Sequence, residues 1–439
     1  MDQQLQERSR GHGRNRVSDA SGAPDSIRPV RAAERIVTLD ILRGIALLGV
    51  LIANVYLWFN GLYFLFPEYG EELMRFSLDS VVFHGITAFV EGKAITTFSF
   101  LFGLGFALQM TRAKAKSGDF VPFFSRRMAI LFLIGVPHAV LLWYGDILMA
   151  YALIGFLLLL FRKAADRTLL VCAVGLLVVV PLAFGLLGWW LTVAGAEPPW
   201  LPQDIAYLEG FRSSDVATLV ATNISVLVHD WTGAWILHVL PTYLAIFLIG
   251  FVVGRRRIFE NVEAHHASFR RVRAWGLGVG VPVSIAYALM SWVAVPPEAW
   301  EAMPWLAVVF EFAFMASMLF LAAGYIATAT LLAHDHERWK RVLSIFAPVG
   351  RMALTNYITQ SVVCVLIFYG IGLGLMAQVG PAAALLISLA VFGVQILWSH
   401  WWLAHFRFGP LEWLWRVATY GKLQPMRIPT AVQPTAAGP

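Results

Sequence analysis

Apolar residues collect into long runs separated by short polar stretches, at about 39–59, 94–111, 128–144, 147–161, 168–193, 235–254, 274–295, 305–333, 352–376 and 383–405. About 20 apolar residues rising 1.5 Å each cross a hydrocarbon core of roughly 30 Å, so these runs predict membrane-crossing helices. The predicted fold is all-α, a polytopic membrane helix bundle of about ten transmembrane helices. An even number returns the chain to its starting side. The Lys/Arg clusters at the N-terminal tail, 112–127, 162–167, 255–273, 338–351 and 407–427 then share that side. The intervening loops are acidic or neutral, with Glu68, Glu71, Glu72 and Asp79 in one and Glu197, Asp204, Glu209 and Asp215 in another. Excess Lys/Arg marks the cytoplasmic side, so both termini are expected to be cytoplasmic.

The organisation follows from that pattern. Residues 1–35 are polar and Arg-rich and read as a disordered cytoplasmic tail. The bundle occupies 36–406. Within it, 60–93 and 194–234 are too long for simple turns and read as outer interfacial segments, the second carrying Trp200, Phe211 and Trp231 among polar residues. A Trp- and Arg-rich stretch at 407–427 reads as a cytoplasmic interfacial helix, either a simple anchor or one that also covers an entrance. Residues 428–439 read as a second disordered tail.

Composition sharpens the class. Hydrophobic residues make up 59% of the chain and charged ones 14%, against about 25% charged in soluble domains. The pI near 9.4 comes from basic residues spread over many loops, a topology signal rather than a nucleic-acid patch, so no nucleic-acid partner is expected. Cys172 and Cys364 lie inside apolar runs, and no disulfide framework or metal-ligand spacing can be built from them.

Chemistry is sought where polar groups interrupt the runs, because ionisable side chains in a bilayer turn toward the bundle interior or water. In the first run, LDILRGIALLGVLIANVYLWF, Arg43 and Asn54 are eleven residues apart, hence on one helix face and roughly 16 Å apart. Asp40 lies one turn from Arg43 and is either its structural partner or part of the same polar edge. Arg43 suits a phosphate-bearing ligand, or it snorkels to headgroups. His138 follows Pro137 inside the third run, and Asp146 lies across the Tyr144-Gly145 turn. Read functionally, His138 is a general base at a cavity, oriented by Asp146. Read structurally, it bridges two helices and Asp146 caps the next one.

Glu91 and Lys93 sit at an interface and either line a site or pair with each other. In GRMALTNYITQS, the series Arg351, Thr355, Thr359 and the pair Asn356, Gln360 form a polar face that is either a cavity lining or interhelical glue. Glu311, deep in a run, must be neutral, paired or water-exposed. Gly103 and Gly105 read as close-packing positions, since no strand precedes them. His265, His266, His334 and His336 read as solvated loop residues.

Five segments in order, LDILRGIALLGVLIANV, TTFSFLFGLGFALQ, IGVPHAVLLWYGDILMAYAL, GRMALTNYITQS and FGPLEWLWRVATYGK, resemble the YeiB family of bacterial inner-membrane proteins, which carries a domain of unknown function. The resemblance runs from about residue 36 to 422. That family is remotely similar to the transmembrane acyltransferases, among them sugar O-acetyltransferases and the lysosomal heparan glucosaminide N-acetyltransferase. The resemblance implies a bacterial inner-membrane location, a cytoplasmic acyl-CoA as donor substrate and no bound cofactor. It also implies an acceptor hydroxyl or amine, on an envelope glycan or lipid, reached from the outer side of the bilayer. In the O-acetyltransferase branch a basic residue on helix one is followed, after ten residues, by a histidine. Here Arg43 is followed by Asn54, which cannot accept a proton.

The leading expectation is therefore a membrane acyltransferase. Arg43 and Arg351 hold the donor phosphates, His138 supported by Asp146 is the base, and Asn54, Glu91, Lys93, Asn356 and Gln360 position substrates. No metal is expected. A transporter of a small polar or amphiphilic molecule fits the scatter of Glu311, His138 and Asn356 through the membrane depth. A non-catalytic membrane protein would leave His138 and Arg43 individually replaceable.

Overall fold

A computed structural model describes residues 36–65, 75–115, 119–196, 205–290 and 302–428. The expected tail at 1–35 and that at 428–439 beyond its first residue, with Glu68, Glu71, Glu72, Glu197, Trp200 and Asp204, lie outside the described residues. Among the described residues the regular elements are all helices, apart from one isolated bridge pairing Phe406 with Arg427.

In chain order the helices are α1 (Val37–Ala53, continued by a π turn over Asn54–Phe59), α2 (Leu78–Phe89), α3 (Lys93–Ala115), α4 (Phe120–Leu141), α5 (Leu148–Leu160) and α6 (Asp166–Val193). Then come α7 (Ile205–Arg212), α8 (Val216–Thr232), α9 (Ala234–Arg255), α10 (His266–Met290) and α11 (Leu306–Asp335). The chain closes with α12 (Glu337–Leu343), α13 (Ala347–Arg351), α14 (Ala353–Phe368), α15 (Pro381–His405) and α16 (Pro410–Tyr420).

Among the described residues, eight helices are long and apolar enough to cross a membrane, and the pair α12–α13 with α14, bent by 79° at Met352, has the form of a broken span or a re-entrant loop. The tenth expected segment, 147–161, is the 13-residue α5, about 20 Å long and shorter than a bilayer core. The side chains exposed on this bundle are those a lipid would cover: Leu133, Leu160, Val171, Leu237 and Leu397 are all more than 60% exposed. Exposed apolar surface on this scale, carried by helices of spanning length, belongs in hydrocarbon. The protein is a multi-pass membrane protein.

Local signals set the ends. Ser77 caps α2 by accepting from the Ser80 amide at 3.1 Å, and Asp215 caps α8 through the Thr218 amide at 2.8 Å. Pro381 opens α15, whose Ala382 amide donates to Asp79 Oδ1 at 2.8 Å. Gly421, at φ +64°, ends α16 in the left-handed region that favours glycine.

Packing then decides which helices meet. Gly44 on α1 faces the Phe346 carbonyl, and Gly350 on α13 faces the Asp40 carbonyl, each with no room for a Cβ. That backbone contact draws Arg351 toward Arg43. Gly103 on α3 likewise seats against Phe247 on α9. Gly105, expected to serve the same purpose, instead lines an internal cavity with open space above it.

Candidate functional site: an arginine-mouthed cavity beside a buried histidine

A cavity of about 320 Å³ runs into the bundle between α1, α3, α4, α5, α13, α14 and α16. That volume lies at the small end of ligand pockets. Its wall carries five arginines (Arg43, Arg112, Arg127, Arg351 and Arg416) against two carboxylates (Asp40 and Glu412). Farther along, the lining turns apolar and aromatic through Leu47, Val50, Phe98, Phe102, Ile147, Tyr151 and Tyr357. A basic mouth over an apolar barrel suits an elongated molecule with an anionic head.

The first helix supplies one wall by its periodicity. Arg43, Leu47 and Val50 share a face and line the cavity. Asn54 continues that face, half-buried at the start of the π turn, but the cavity stops one turn short of it. Arg43 Nη1 donates to Asp40 Oδ1 at 2.8 Å.

The wall formed by α16 is held in place by a carboxylate. Glu412 Oε1 accepts from the Leu354 and Thr355 amides at 2.7 and 3.1 Å, and Oε2 accepts from Thr355 Oγ1 at 2.6 Å. These are the amides that the break at Met352 leaves free at the start of α14. Burial nevertheless outweighs the three donors and raises the Glu412 carboxyl above its ordinary value. The Arg127 guanidinium stacks 3.6 Å from the centre of the Trp415 ring, whose Nε1 donates to the Arg127 carbonyl at 3.0 Å.

Beyond the aromatic end lies a fully buried polar relay. His138 on α4 and Asp146, two residues before α5, have side chains 1% and 0% exposed and meet through Nδ1 and Oδ2 at 2.8 Å. Asp146 Oδ1 also accepts from the Met149 amide at 2.7 Å, so the carboxylate both caps α5 and orients the imidazole. Gly135 makes room, since a Cβ there would stand 2.9 Å from Asp146 Oδ1. The other ring nitrogen, Nε2, lies 2.8 Å from Ser361 Oγ on α14. In the neutral imidazole with an ionised Asp146, Nδ1 carries the proton and Nε2 accepts from the Ser361 hydroxyl. Tyr357, one turn before Ser361, separates this relay from the cavity. Its ring centre lies 5.1 Å from that of His138, and its hydroxyl accepts from the Ile147 amide at 3.3 Å.

The remaining expected site residues sit elsewhere. Asn356 Nδ2 donates to the Val349 carbonyl and Ser399 Oγ, and Gln360 Nε2 donates to Gln395 Oε1 at 2.8 Å. These residues lace α14 to α15, the interhelical role, and stay off the cavity wall. The expected Arg351–Thr355–Thr359 face assumes one continuous helix. The bend at Met352 puts Arg351 on α13 at the cavity, while Thr355 binds Glu412 and Thr359 is exposed.

Glu91 and Lys93 belong to a second buried cluster. Glu91 Oε2 accepts from Tyr56 Oη at 2.7 Å, and Lys93, 1% exposed, donates to the Thr87 carbonyl at 2.9 Å with the Tyr287 ring 5.6 Å away. Glu311 faces His238 Nε2 at 3.4 Å. His266 and His334 converge on Asp335 at an exposed corner, within 3.0 and 2.9 Å.

Sequence reasoning missed Arg112, Arg127 and Arg416, read only as topology charges, and Ser361. The available signal for Ser361 was its i, i+4 spacing from Tyr357.

The family described as "Protein of unknown function (DUF418)" matches residues 253–422. The "Uncharacterized protein YxaH" of Bacillus subtilis is 35% identical over 427 residues, covering 93% of this chain and 100% of the relative. The "Uncharacterized protein YeiB" of Escherichia coli is 31% identical over 399 residues, covering 88% and 96%. No solved structure matches the chain. An identity of 35% sustained from end to end places the chain in the YeiB-like DUF418 family of membrane proteins.

Proposed function

We propose that the protein is an acyltransferase of the bacterial inner membrane. It would take an acyl group from a cytoplasmic acyl-CoA and deliver it to a hydroxyl or amine on an envelope glycan or lipid. The observation that carries this reading is the cavity, with arginines at one end and the Tyr357 ring against His138 at the other. The Lys/Arg asymmetry turns the arginine end to the cytoplasm. There Arg43 and Arg351, with Arg112, Arg127 and Arg416, hold phosphates through charge-assisted hydrogen bonds. The apolar barrel receives the pantetheine arm and thioester. His138, its tautomer fixed by Asp146, takes up the proton released as the acyl group moves.

Calorimetry of acetyl-CoA and free CoA on purified protein in detergent tests this reading. Binding should weaken about tenfold or more in Arg43→Ala, the scale of one lost charge-assisted contact. Binding that is absent, or indifferent to every mouth arginine, would remove the donor site.

Transport is favoured by one observation, ionisable pairs that lie off the cavity: Glu91 and Lys93 on either side of Gly92, and the partly exposed His238 and Glu311 at 3.4 Å. Solute flux into proteoliposomes without acyl transfer would support it.

A further inference from the structure

We propose that Ser361 is a nucleophile that carries the acyl group covalently between donor and acceptor. This rests on the acyl-transfer reading above and specifies its route. The reasoning starts from the two nitrogens of His138. Asp146 occupies Nδ1 and Ser361 occupies Nε2, each at 2.8 Å. No ring nitrogen is left to serve an acceptor directly, so the first proton His138 can take is the one on Ser361.

The hydroxyl itself is drawn out of its ordinary bond. Buried hydroxyls on these helices donate back to the carbonyl four residues earlier: Thr97 at 2.9 Å, Thr330 at 2.7 Å and Ser388 at 2.8 Å. Ser361 lies 3.4 Å from the equivalent Tyr357 carbonyl and 2.8 Å from the imidazole. Serine, histidine and aspartate thus stand in the order that activates a hydroxyl for attack, with the base oriented by a third group.

The chemistry balances with acyl-CoA as the only co-reactant besides the acceptor. Ser361 Oγ adds to the thioester carbonyl carbon while its proton passes to His138 Nε2. Collapse of the adduct breaks the C–S bond, and CoA leaves as the thiol with that proton. An acceptor hydroxyl or amine then adds to the Ser361 ester and gives its proton to Nε2. The C–Oγ bond breaks and the serine regains its hydrogen. In the state described here Ser361 is 2% exposed, so the Tyr357 ring must swing aside for the thioester to reach it.

The test uses full-length protein in detergent, incubated with acetyl-CoA without acceptor, then quenched and analysed by intact mass and peptide mapping. One acetyl group on Ser361 is expected. The mark should be absent in Ser361→Ala, which should still bind acetyl-CoA and elute as the wild type does on gel filtration. It should persist as a thioester in Ser361→Cys. Steady-state transfer by Ser361→Ala should fall about a thousandfold. An unmarked Ser361 in wild-type protein that still transfers acetyl groups would overturn the covalent route and leave acyl transfer standing. So would full turnover by Ser361→Ala. Wild-type protein that neither binds nor consumes acetyl-CoA would overturn both.

Discussion

Two buried polar clusters, built from similar residues, sit in different surroundings. His138, Asp146 and Ser361 lie one aromatic ring away from a cavity. Tyr56, Lys93 and Tyr287 are buried with Glu91 half-buried beside them, none of them lines the cavity, and a Cβ on the intervening Gly92 would strike Met318. Both satisfy the demand that charge inside a bilayer be partnered. Only the first touches a side chain, Tyr357, that itself lines the cavity. Intramembrane polarity therefore marks where the fold tolerates charge, and adjacency to a cavity separates chemistry from architecture.

That comparison can be broken most sharply at Asp146. Asp146→Asn presents an amide to His138 Nδ1 and favours the other tautomer, so acetyl transfer should drop about 10³–10⁴-fold with the fold retained. Transfer at wild-type rates would place the relay with the structural cluster.

Lys93→Met should do the opposite. It strips the Thr87 carbonyl of its donor and Glu91 of a nearby cation, which costs about 1–3 kcal/mol. A lower thermal midpoint with unchanged transfer by the folded fraction is expected, and a loss of transfer alone would erase the distinction between the clusters.

Gly350→Ala pushes a methyl into the Asp40 carbonyl and parts α1 from α13. It should weaken CoA binding several-fold and lower the midpoint together, both read on one preparation.

Glu412→Gln is the smallest change, about 1 kcal/mol or less, the scale of a helix cap. Burial raises the Glu412 carboxyl, so the folded protein holds that proton more tightly than the unfolded chain. Its contribution is full below the ordinary carboxylate range and is lost as pH rises through the raised value. Midpoints measured between about pH 4 and 8 should slope less in the variant. An unchanged slope would mean that the donors from α14 dominate.

The bundle was legible because hydrophobic runs are local. So was the encounter of His138 with Asp146, eight residues apart across a turn. Ser361 was not, because it arrives from 223 residues away, and its i, i+4 spacing from Tyr357 is shared by many hydroxyls that bond only their own helix. Periodicity set Asn54 on the face of Arg43 but could not show where the cavity ends, which depends on side chains of other helices. The polar series from Arg351 was misread for a related reason, since the bend at Met352 interrupts the period.

The cavity is walled by α1, the first described helix, and by α16, the last. While the chain is being made it emerges from the ribosome one helix at a time, and no nascent intermediate owns a closed site. The cavity wall is completed only when Glu412 docks on the start of α14. A chain that terminates before α16, or carries a bulky fusion hard against residue 420, would leave this wall open and the amides of Leu354 and Thr355 without their acceptor.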